Sequence, residues 1–540
     1  MDINEQRTPI DEPVSEFHEE TMLSILRSLK QTYMPSGKTN ADAKSIVNSM
    51  FEVAQDKLRT SILKGNSASW MLEAYKQIFM WTSVYRGGFA QPFHSPKEMA
   101  PVGRFGWRFV IEHILSGGAG DSLQRRQPSY EEVSKVFTIL SVMMMAAEWS
   151  NLIHFFPDVY GDVEFDLTDP FGMLMPKLPP KSKVAMQERA EYMRMADDDH
   201  WNRLSASRRA ADELYLNKKL SNALQVAKGF TLEDIEKLID VMLREVLSSG
   251  AVLIIPGEYL VDWLVDESDI PKPVVVKILN FILLSSKDFM RVGGDFLDKK
   301  DPIRMINFAG IRLDRLKYLT SIYPKASVSK PHIKKASWHV IVNIFMVAEW
   351  HDIFKHRSAI GQRLDLKGDA VLNRSLEEIE QYHRRNIFES VVFDIFAKCS
   401  HDGIKGLKKW TSNNGGSVAL PCGEIDIIAF DEVNKIFYVV ECKASAPATD
   451  SRGQFQQFKD HFIQKKYHDK FLSKIKWVSE NLAEIARYKA FSRSEIDLAN
   501  VEIVPLMVTR YPSIVKFYVE GYRVLTYVEL DVELSRESTA

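Results

Sequence analysis

The chain has 540 residues, of which 45% are hydrophobic and 26% are charged, and its formal net charge is −2. These values are typical of a folded multidomain protein. They exclude a globally basic nucleic-acid binder, although a local basic groove stays compatible with them. Three cysteines without paired spacing argue against a disulfide framework and a structural zinc site. No apolar run reaches the roughly 20 residues of a membrane span, and the first residues are acidic and polar. We therefore expect a cytoplasmic protein with no membrane partner.

The first two thirds of the chain are predicted to be mostly α-helical. A capping-box-like start at Thr231 is followed by apolar residues with a period of 3.6 residues, and Pro271 precedes a second apolar helix. Four prolines within residues 169–183 indicate a linker. We therefore expect a helical domain over residues 1–175 and a second helical domain, with a sensor or regulatory role, over residues 176–370.

Residues 371–540 have a different pattern, which predicts an α/β domain. A capping box that begins at Ser375 starts a predicted helix, and this helix ends near Lys398. Segments rich in β-branched and aromatic residues follow, and such residues favour strands. The predicted strands are residues 423–430, 435–444, 501–509, 513–520 and 523–532, and the predicted amphipathic helical region is residues 453–490.

The first two of these strands carry the charged residues from which a catalytic site is predicted. Residues two apart on a strand share a face, so Glu424 and Asp426 are expected on one face with their neighbouring isoleucines on the core face, and Glu441 shares a face with Lys443. A short polar turn predicts a hairpin in which Asp426 lies about 5 Å across from Glu441. Two carboxylates at that distance repel unless a cation lies between them, and Mg²⁺ prefers such oxygen ligands. The Lys443 ammonium would orient the attacking water or stabilise charge on a phosphate.

The Gly-Glu-Ile-Asp segment that ends at Asp426, followed by Glu441-Cys442-Lys443, resembles the Asp…Glu-X-Lys core of the PD-(D/E)XK nuclease superfamily, in particular its Mrr-like and Holliday-junction-resolvase-like branches. The chain departs from the commonest pattern because no proline precedes Asp426. The resemblance implies a restriction-endonuclease-like domain with a central mixed sheet flanked by helices. It also implies a glutamate on the helix before the hairpin, and Glu389 fits that place.

On this resemblance the catalytic residues are Glu389, Asp426, Glu441 and Lys443. The first three would bind Mg²⁺, with Mn²⁺ as a substitute. The predicted fold class is a multidomain protein in which a mostly α-helical N-terminal region precedes a C-terminal α/β restriction-endonuclease-like domain over residues 371–540.

Further polar residues follow the hairpin. Some branches of the superfamily have a polar residue on the next helix, and Gln454 or Gln457 fits that description. Lys466, Lys470 and Lys474 fall on one predicted helical face, which could follow a phosphate backbone. An ordinary solvated face explains the lysines equally well, and an ordinary structural role explains the glutamines.

The function that this reasoning favours is a magnesium-dependent endonuclease acting on nucleic acid, with DNA favoured over RNA. Restriction or antiviral defence, with the helical region regulating cleavage, would suit this architecture, and a homo-oligomer is compatible with it. Three alternatives stay open. The charged residues could form a surface salt bridge on an amphipathic hairpin, or the domain could be a catalytically inactive nuclease-fold module that binds nucleic acid or a partner protein. The chain could also be a helical scaffold whose C-terminal domain only mediates assembly.

Overall fold

The structure is a computed structural model, and it describes the following residues: 13–33, 42–63, 67–85, 100–115, 127–197, 210–249, 252–285, 310–313, 338–359, 369–399, 401–411, 417–444, 448, 451–491, 496 and 498–537. The chain forms two compact units. The first contains Met1–Pro179, Lys219–Ser358 and Arg363–Asn373, and the second contains Pro180–Lys218, Ala359–Gln362 and Arg374–Ala540. The finer division into three domains stays a prediction.

Helices dominate the described residues before position 370, as the sequence predicts. The helix at Leu232–Ser249 has the predicted capping box, because the Thr231 amide donates to Asp234 Oδ2 at 2.8 Å and the Asp234 amide donates to Thr231 Oγ1 at 3.1 Å. The predicted helix after Pro271 is Lys272–Ile282. The other helices of this region are Glu19–Tyr33, Ala43–Leu63, Ser67–Tyr85, Ala100–Leu115, Tyr130–Phe155, Pro157–Tyr160, Pro170–Leu174, Pro180–Asp197, Ala210–Lys228, Gly257–Ser268 and Ile344–Ala359.

The helix at Tyr130–Phe155 forms much of the core of the first unit. Its N-terminus is closed by a capping box in which Ser129 accepts from the Glu132 amide. It packs against Ala43–Leu63 and Ala100–Leu115. Among the described helices it alone is long and apolar enough to cross a membrane by length and composition, and 67% of its apolar window is buried inside the structure.

A four-stranded sheet also lies in this unit, and the prediction of a mostly helical segment missed it. Its strands, β1 (Val252–Pro256), β2 (Leu283–Ser285), β3 (Gly310–Leu313) and β4 (His339–Asn343), lie in the order β1-β4-β3-β2. Strand β4 pairs antiparallel with β1 and β3, and β2 pairs parallel with β3. Apolar runs this short have no periodicity that separates a strand from a buried helix, which explains the error.

The second unit contains a five-stranded mixed sheet, which confirms the predicted sheet type for the C-terminal region. Strands β5 (Asp402–Leu407), β8 (Ile425–Asp431), β9 (Ile436–Lys443), β10 (Glu502–Thr509) and β11 (Arg523–Thr526) lie in the order β11-β10-β9-β8-β5, and β6 (Lys409–Thr411) pairs with β7 (Ser417–Ala419) separately. Pairs β5–β8 and β8–β9 are antiparallel, whereas β9–β10 and β10–β11 are parallel. The predicted hairpin is therefore confirmed, and its second strand lies at the centre of the sheet.

Helices cover both faces of this sheet. Glu389–Lys398 and Tyr527–Glu537 pack on one face through a cluster that includes Phe388, and Tyr467–Glu480 packs on the other through Phe471. Because β8 is covered from both sides, each of its residues is buried. A charged side chain on this strand is therefore removed from water and needs a partner.

The last two predicted strands are partly wrong. Residues 513–520 contain a 3₁₀ turn, and the strand predicted over 523–532 ends at Thr526, where the helix Tyr527–Glu537 begins. The Thr526 amide donates to Glu529 Oε2 at 2.7 Å, and the Glu529 amide donates to Thr526 Oγ1 at 3.1 Å. This reciprocal cap starts a helix despite the β-branched and aromatic residues that follow.

The helix predicted from Ser375 to Lys398 starts earlier and contains a wide turn. It begins at Ala370, where Asp369 Oδ1 accepts from the Leu372 amide at 3.1 Å, so the predicted cap at Ser375 is wrong. The segments in order are α-helix Ala370–Tyr382, a π-helical turn at His383–Phe388, and α-helix Glu389–Lys398.

The predicted helical region over residues 453–490 is likewise divided. Its segments are Ser451–Lys459, a π-helical turn at Asp460–Gln464, Tyr467–Glu480 and Leu482–Ile485. Lys466, at a left-handed φ of 50°, separates the second and third segments. The two π-helical turns lie in helices on either side of the predicted hairpin in the sequence, and such turns are frequent at functional sites.

Candidate active site

The hairpin brings Asp426 and Glu441 together, as the sequence predicts. Ile427 pairs with Val440 across the two strands, and extending this register by one pair places Asp426 opposite Glu441. The Cys442 amide donates to Asp426 Oδ2 at 2.7 Å, which fixes the aspartate against the neighbouring strand. The two residues are only 8% and 6% exposed. This burial excludes the alternative of a surface salt bridge on an amphipathic hairpin.

The prediction that the isoleucines beside Asp426 share one core face is wrong. Ile425 packs in the cluster that contains Phe471, whereas Ile427 packs in the cluster that contains Phe388, on the opposite face of the sheet. Strict alternation therefore does not hold across Asp426. Both faces of β8 are buried, so an isoleucine on either face meets a core cluster.

Two lysines contact the carboxylate of Glu441. Lys443 Nζ lies 2.5 Å from Glu441 Oε1, and Lys474 Nζ forms an ion pair with Glu441 Oε2. Lys443 comes from the same strand, as predicted, and Lys474 comes from the Tyr467–Glu480 helix that covers this face. Each carboxylate oxygen thus has its own ammonium group.

Lys474 is the site residue that sequence reasoning placed wrongly. Its spacing suggested one exposed basic face shared with Lys466 and Lys470, but Lys474 is 8% exposed and turns inward to Glu441. Lys466 precedes the helix in a left-handed conformation, and it and Lys470 are exposed. The available signal was the amphipathic pattern, because Lys474 lies one turn after Phe471 and one turn before Val478, both buried.

Burial and neighbouring charges act together on the pKa values of the central pair. Burial, and then the charge of Glu441, raise the pKa of the Asp426 carboxyl above its usual value. Burial also disfavours the charged form of Glu441, but Lys443 and Lys474 hold the pKa of Glu441 below its usual value. Burial likewise disfavours charge on Lys443, and Glu441 and Asp426 nevertheless raise the pKa of this lysine. Both ammonium groups therefore contact Glu441, and Asp426 lies on the adjacent strand and is influenced by their charge.

Glu389 lies beside this group, as predicted. It is 4% exposed at the start of its helix, directly after the π-helical turn, and Arg384 Nε lies 3.7 Å from its Oε1. Burial, and then the charge of Asp426, raise the pKa of Glu389 to about 7. Glu424 also contributes to this repulsion, while its own carboxylate pairs with Lys408 at 3.4 Å.

The two glutamines proposed from the resemblance have different surroundings. Gln454 is 1% exposed, and its Oε1 accepts from Arg189 Nε at 3.1 Å, so it is held inside the structure. Gln457 Oε1 accepts from Ser513 Oγ at 3.4 Å, and Gln457 lines a cavity that also borders Lys443. Of the two, Gln457 therefore has the position from which a bound ligand could be contacted.

A divalent cation needs several oxygen ligands around it. Within the described part of the chain, no three Asp, Glu, His or Cys side chains converge closely enough to hold a metal ion by themselves. Magnesium commonly binds through one or two carboxylates, and takes its other oxygen ligands from water and substrate phosphate. Asp426 and Glu441 supply two carboxylates, and the raised pKa of Asp426 marks a place where a cation would relieve repulsion. Because both oxygens of Glu441 pair with lysines, a cation there would displace at least one of these ion pairs.

Comparison of the chain with known protein families, with curated proteins and with solved structures finds no significant match.

Proposed function

We propose that the chain is a metal-dependent endonuclease that hydrolyses phosphodiester bonds of nucleic acid, with DNA as the expected polymer. The observation that carries the proposal is the buried pair Asp426 and Glu441 on adjacent antiparallel strands, with the Lys443 ammonium 2.5 Å from Glu441. Removing such charges from water costs free energy unless they pair with other groups or bind a metal ion. The restriction-endonuclease-like fold, a role in restriction or antiviral defence, regulation by the helical region and a cytoplasmic location belong to the same proposal.

Asp426 and Glu441 would hold Mg²⁺ or Mn²⁺, and Glu389 would complete the site. The bound cation would polarise a phosphate oxygen and neutralise charge on it. Phosphodiester hydrolysis needs this charge neutralisation together with a positioned water.

The chain's own residues have separate tasks in this mechanism. Lys443 lies on the same strand as Glu441 and would hold the attacking water or stabilise the charge that grows on the phosphate. The Cys442 amide fixes the orientation of Asp426, and Lys474 fixes that of Glu441. Lys474 is thus a positioning residue, since it acts through the carboxylate that it contacts: it holds Glu441 in place when no metal is bound, and it competes with a cation for that carboxylate.

A second candidate function is a catalytically inactive nuclease-fold module that binds nucleic acid or a partner protein. The observation in its favour is that both oxygens of Glu441 already have lysine partners, which satisfies the buried charges without a cation. Metal binding separates the two candidates. Calorimetric titration of Mg²⁺ and Mn²⁺ should show saturable binding that Asp426→Ala removes if the nuclease proposal holds.

Cleavage of plasmid, linear and single-stranded substrates with and without Mg²⁺ tests the activity itself. Glu441→Gln and Lys443→Met should each lower the cleavage rate by more than about 100-fold, because each removes a charged group from the reaction centre. Glu432→Gln, in the exposed turn of the same hairpin, is the matched control and should cleave like the unchanged protein. Full activity in either site variant, with the fold intact by circular dichroism, would remove the mechanism.

A further inference from the structure

A cavity of about 230 Å³ lies next to the candidate active site and shares Lys443 with it. Lys443 Nζ is 4.2 Å from the centroid of the Tyr467 ring, and Tyr467 also lines the cavity. The same ammonium thus contacts Glu441 and borders the cavity. A phosphate bound at Lys443 would place the group attached to it within reach of this space.

Aromatic and neutral polar side chains form much of the wall. Tyr467 and Tyr511 contribute rings, and each ring has a cation against it, since Arg510 lies 4.9 Å from the centroid of Tyr511. Gln457 and Ser513 contribute an amide and a hydroxyl beside them. Rings held in this way are fixed platforms on which a flat ligand can stack.

The charged and titratable groups of the wall are already satisfied. Asp460 Oδ2 pairs with Lys465 Nζ at 2.6 Å, and its Oδ1 accepts from Gln456 Nε2 at 2.7 Å. His461 Nε2 lies 2.6 Å from the Tyr522 hydroxyl, and burial lowers the pKa of His461 to about 4, so it is neutral at physiological pH. The interior therefore favours a neutral ligand, and the border at Lys443 favours an anionic one.

We infer that this cavity receives one nucleobase, namely the base of the nucleotide whose phosphate lies at Lys443. Its volume of about 230 Å³ is below the roughly 300–1,000 Å³ typical of sites for larger ligands, which suits one ring system with a polar edge. The base stacks against Tyr467 or Tyr511, and Gln457 and Ser513 meet its polar edge. This inference rests on the proposed nuclease function and specifies its substrate.

The consequence is a preference for an unpaired nucleotide. A base inside a duplex is stacked and paired, so it can enter this cavity only after it has left the duplex, and unstacking and unpairing it costs free energy. Single strands, mismatches and frayed ends avoid that cost. The site should therefore act preferentially on nucleic acid in which the nucleotide at the scissile phosphate is unpaired.

Binding of small ligands to the full chain in EDTA tests the cavity without cleavage or metal. Deoxynucleoside 5′-monophosphates should bind at least about tenfold more tightly than deoxyribose 5-phosphate, because stacking of a base on an aromatic ring strengthens binding by about this factor. Ser513→Phe, which places a ring in the cavity, should reduce this advantage to less than about twofold. Ser479→Phe is the matched control, because it adds the same ring at an exposed position that does not line the cavity, and it should retain the advantage. Equal binding of both ligands by the unchanged protein would overturn the inference.

A cleavage assay separates this inference from the proposed function. In Mg²⁺, a single-stranded substrate with one abasic nucleotide next to the preferred cleavage site should be cut at least about tenfold more slowly than the intact strand. Cleavage of both at one rate would leave the nuclease intact and remove the base site. Absence of any cleavage would remove the nuclease, while the binding comparison would still decide whether the cavity takes a base. If Ser513→Phe fails to fold, Gln457→Leu takes its place in the binding comparison. Gln457→Leu removes the side-chain amide and nearly keeps the side-chain size. An undiminished preference of this variant for the mononucleotide would then count against the inference.

Discussion

Lys474 provides the sharpest test of how the two lysines and two carboxylates work together. The change Lys474→Met removes the charge and keeps an unbranched side chain in a position that is 8% exposed. Glu441 then has Lys443 as its remaining ammonium partner among the contacts described above. The variant should be less stable without metal and should bind magnesium more tightly, since Lys474 and a cation compete for the same carboxylate.

The two effects have magnitudes that follow from the contacts. Removing one member of a buried ion pair costs about 3–5 kcal/mol, and because Lys443 still contacts Glu441 we expect about 1–3 kcal/mol. A cation and an ammonium near one carboxylate repel each other by several kcal/mol at an effective dielectric constant of about 20. Relaxation of the site reduces this gain, so the Kd for Mg²⁺ should fall by about tenfold or more, equivalent to ~1.4 kcal/mol.

Thermal unfolding in EDTA and in increasing Mg²⁺, together with calorimetric titration, measures both effects. The gap in stability between Lys474→Met and the unchanged protein should narrow as Mg²⁺ rises, because tighter binding stabilises the folded state more. Lys476→Met is the control on the same helix, because Lys476 is exposed and pairs with exposed Glu480 at 3.8 Å. Magnesium affinity in Lys474→Met that is equal to or weaker than that of the unchanged protein would refute the competition.

The remaining predictions concern the other carboxylates and one helix cap. Glu389 has a pKa of about 7 in the folded chain against 4.5 when unfolded, so its contribution to stability falls as the pH rises between these values. Glu389→Gln should therefore be more stable than the unchanged protein at pH 8, by about 1–3 kcal/mol, and equally stable below pH 4.5. A difference in unfolding free energy that does not depend on pH would contradict this. Asp426→Asn should raise the melting temperature at neutral pH in EDTA, because the carboxyl has a raised pKa, while abolishing magnesium binding; a lower melting temperature would count against the repulsion. Thr526→Ala should lower the free energy of unfolding by about 1 kcal/mol through loss of the reciprocal cap, whereas no change by denaturant titration would show that the cap contributes nothing.

The hairpin could be predicted from sequence because its signals are local. Acidic and apolar residues alternate around Asp426 and before Lys443, and a polar turn of fixed length sets the register that puts Asp426 opposite Glu441. Glu389 is implied by the family resemblance, and its helical spacing beside buried residues agrees with its buried position. These inferences depend on short separations along the chain.

The features that sequence reasoning missed depend on packing between distant segments. Lys474 lies 33 residues from Glu441, and its inward position depends on how the Tyr467–Glu480 helix packs on the sheet. The cavity beside Lys443 likewise combines residues from that helix, from β10 and from the turn at Ser513. Sequence periodicity shows which face of a helix or strand is apolar. It does not show how that helix or strand is positioned against its neighbours.

The π-helical turn at His383–Phe388 has a consequence for how the direction of Glu389 is set. One additional residue in a helix shifts its angular phase by about 100° relative to an uninterrupted α-helix. The direction of the Glu389 side chain is therefore offset from the apolar stripe of the helix Ala370–Tyr382. A single-residue insertion or deletion inside this turn would rotate Glu389 relative to the preceding stripe while every apolar residue kept its identity. Because Val392, Ile395 and Phe396 follow Glu389 on the same helix and pack in the sheet core, they would rotate with it, so the turn ties the direction of this carboxylate to the packing of its own helix.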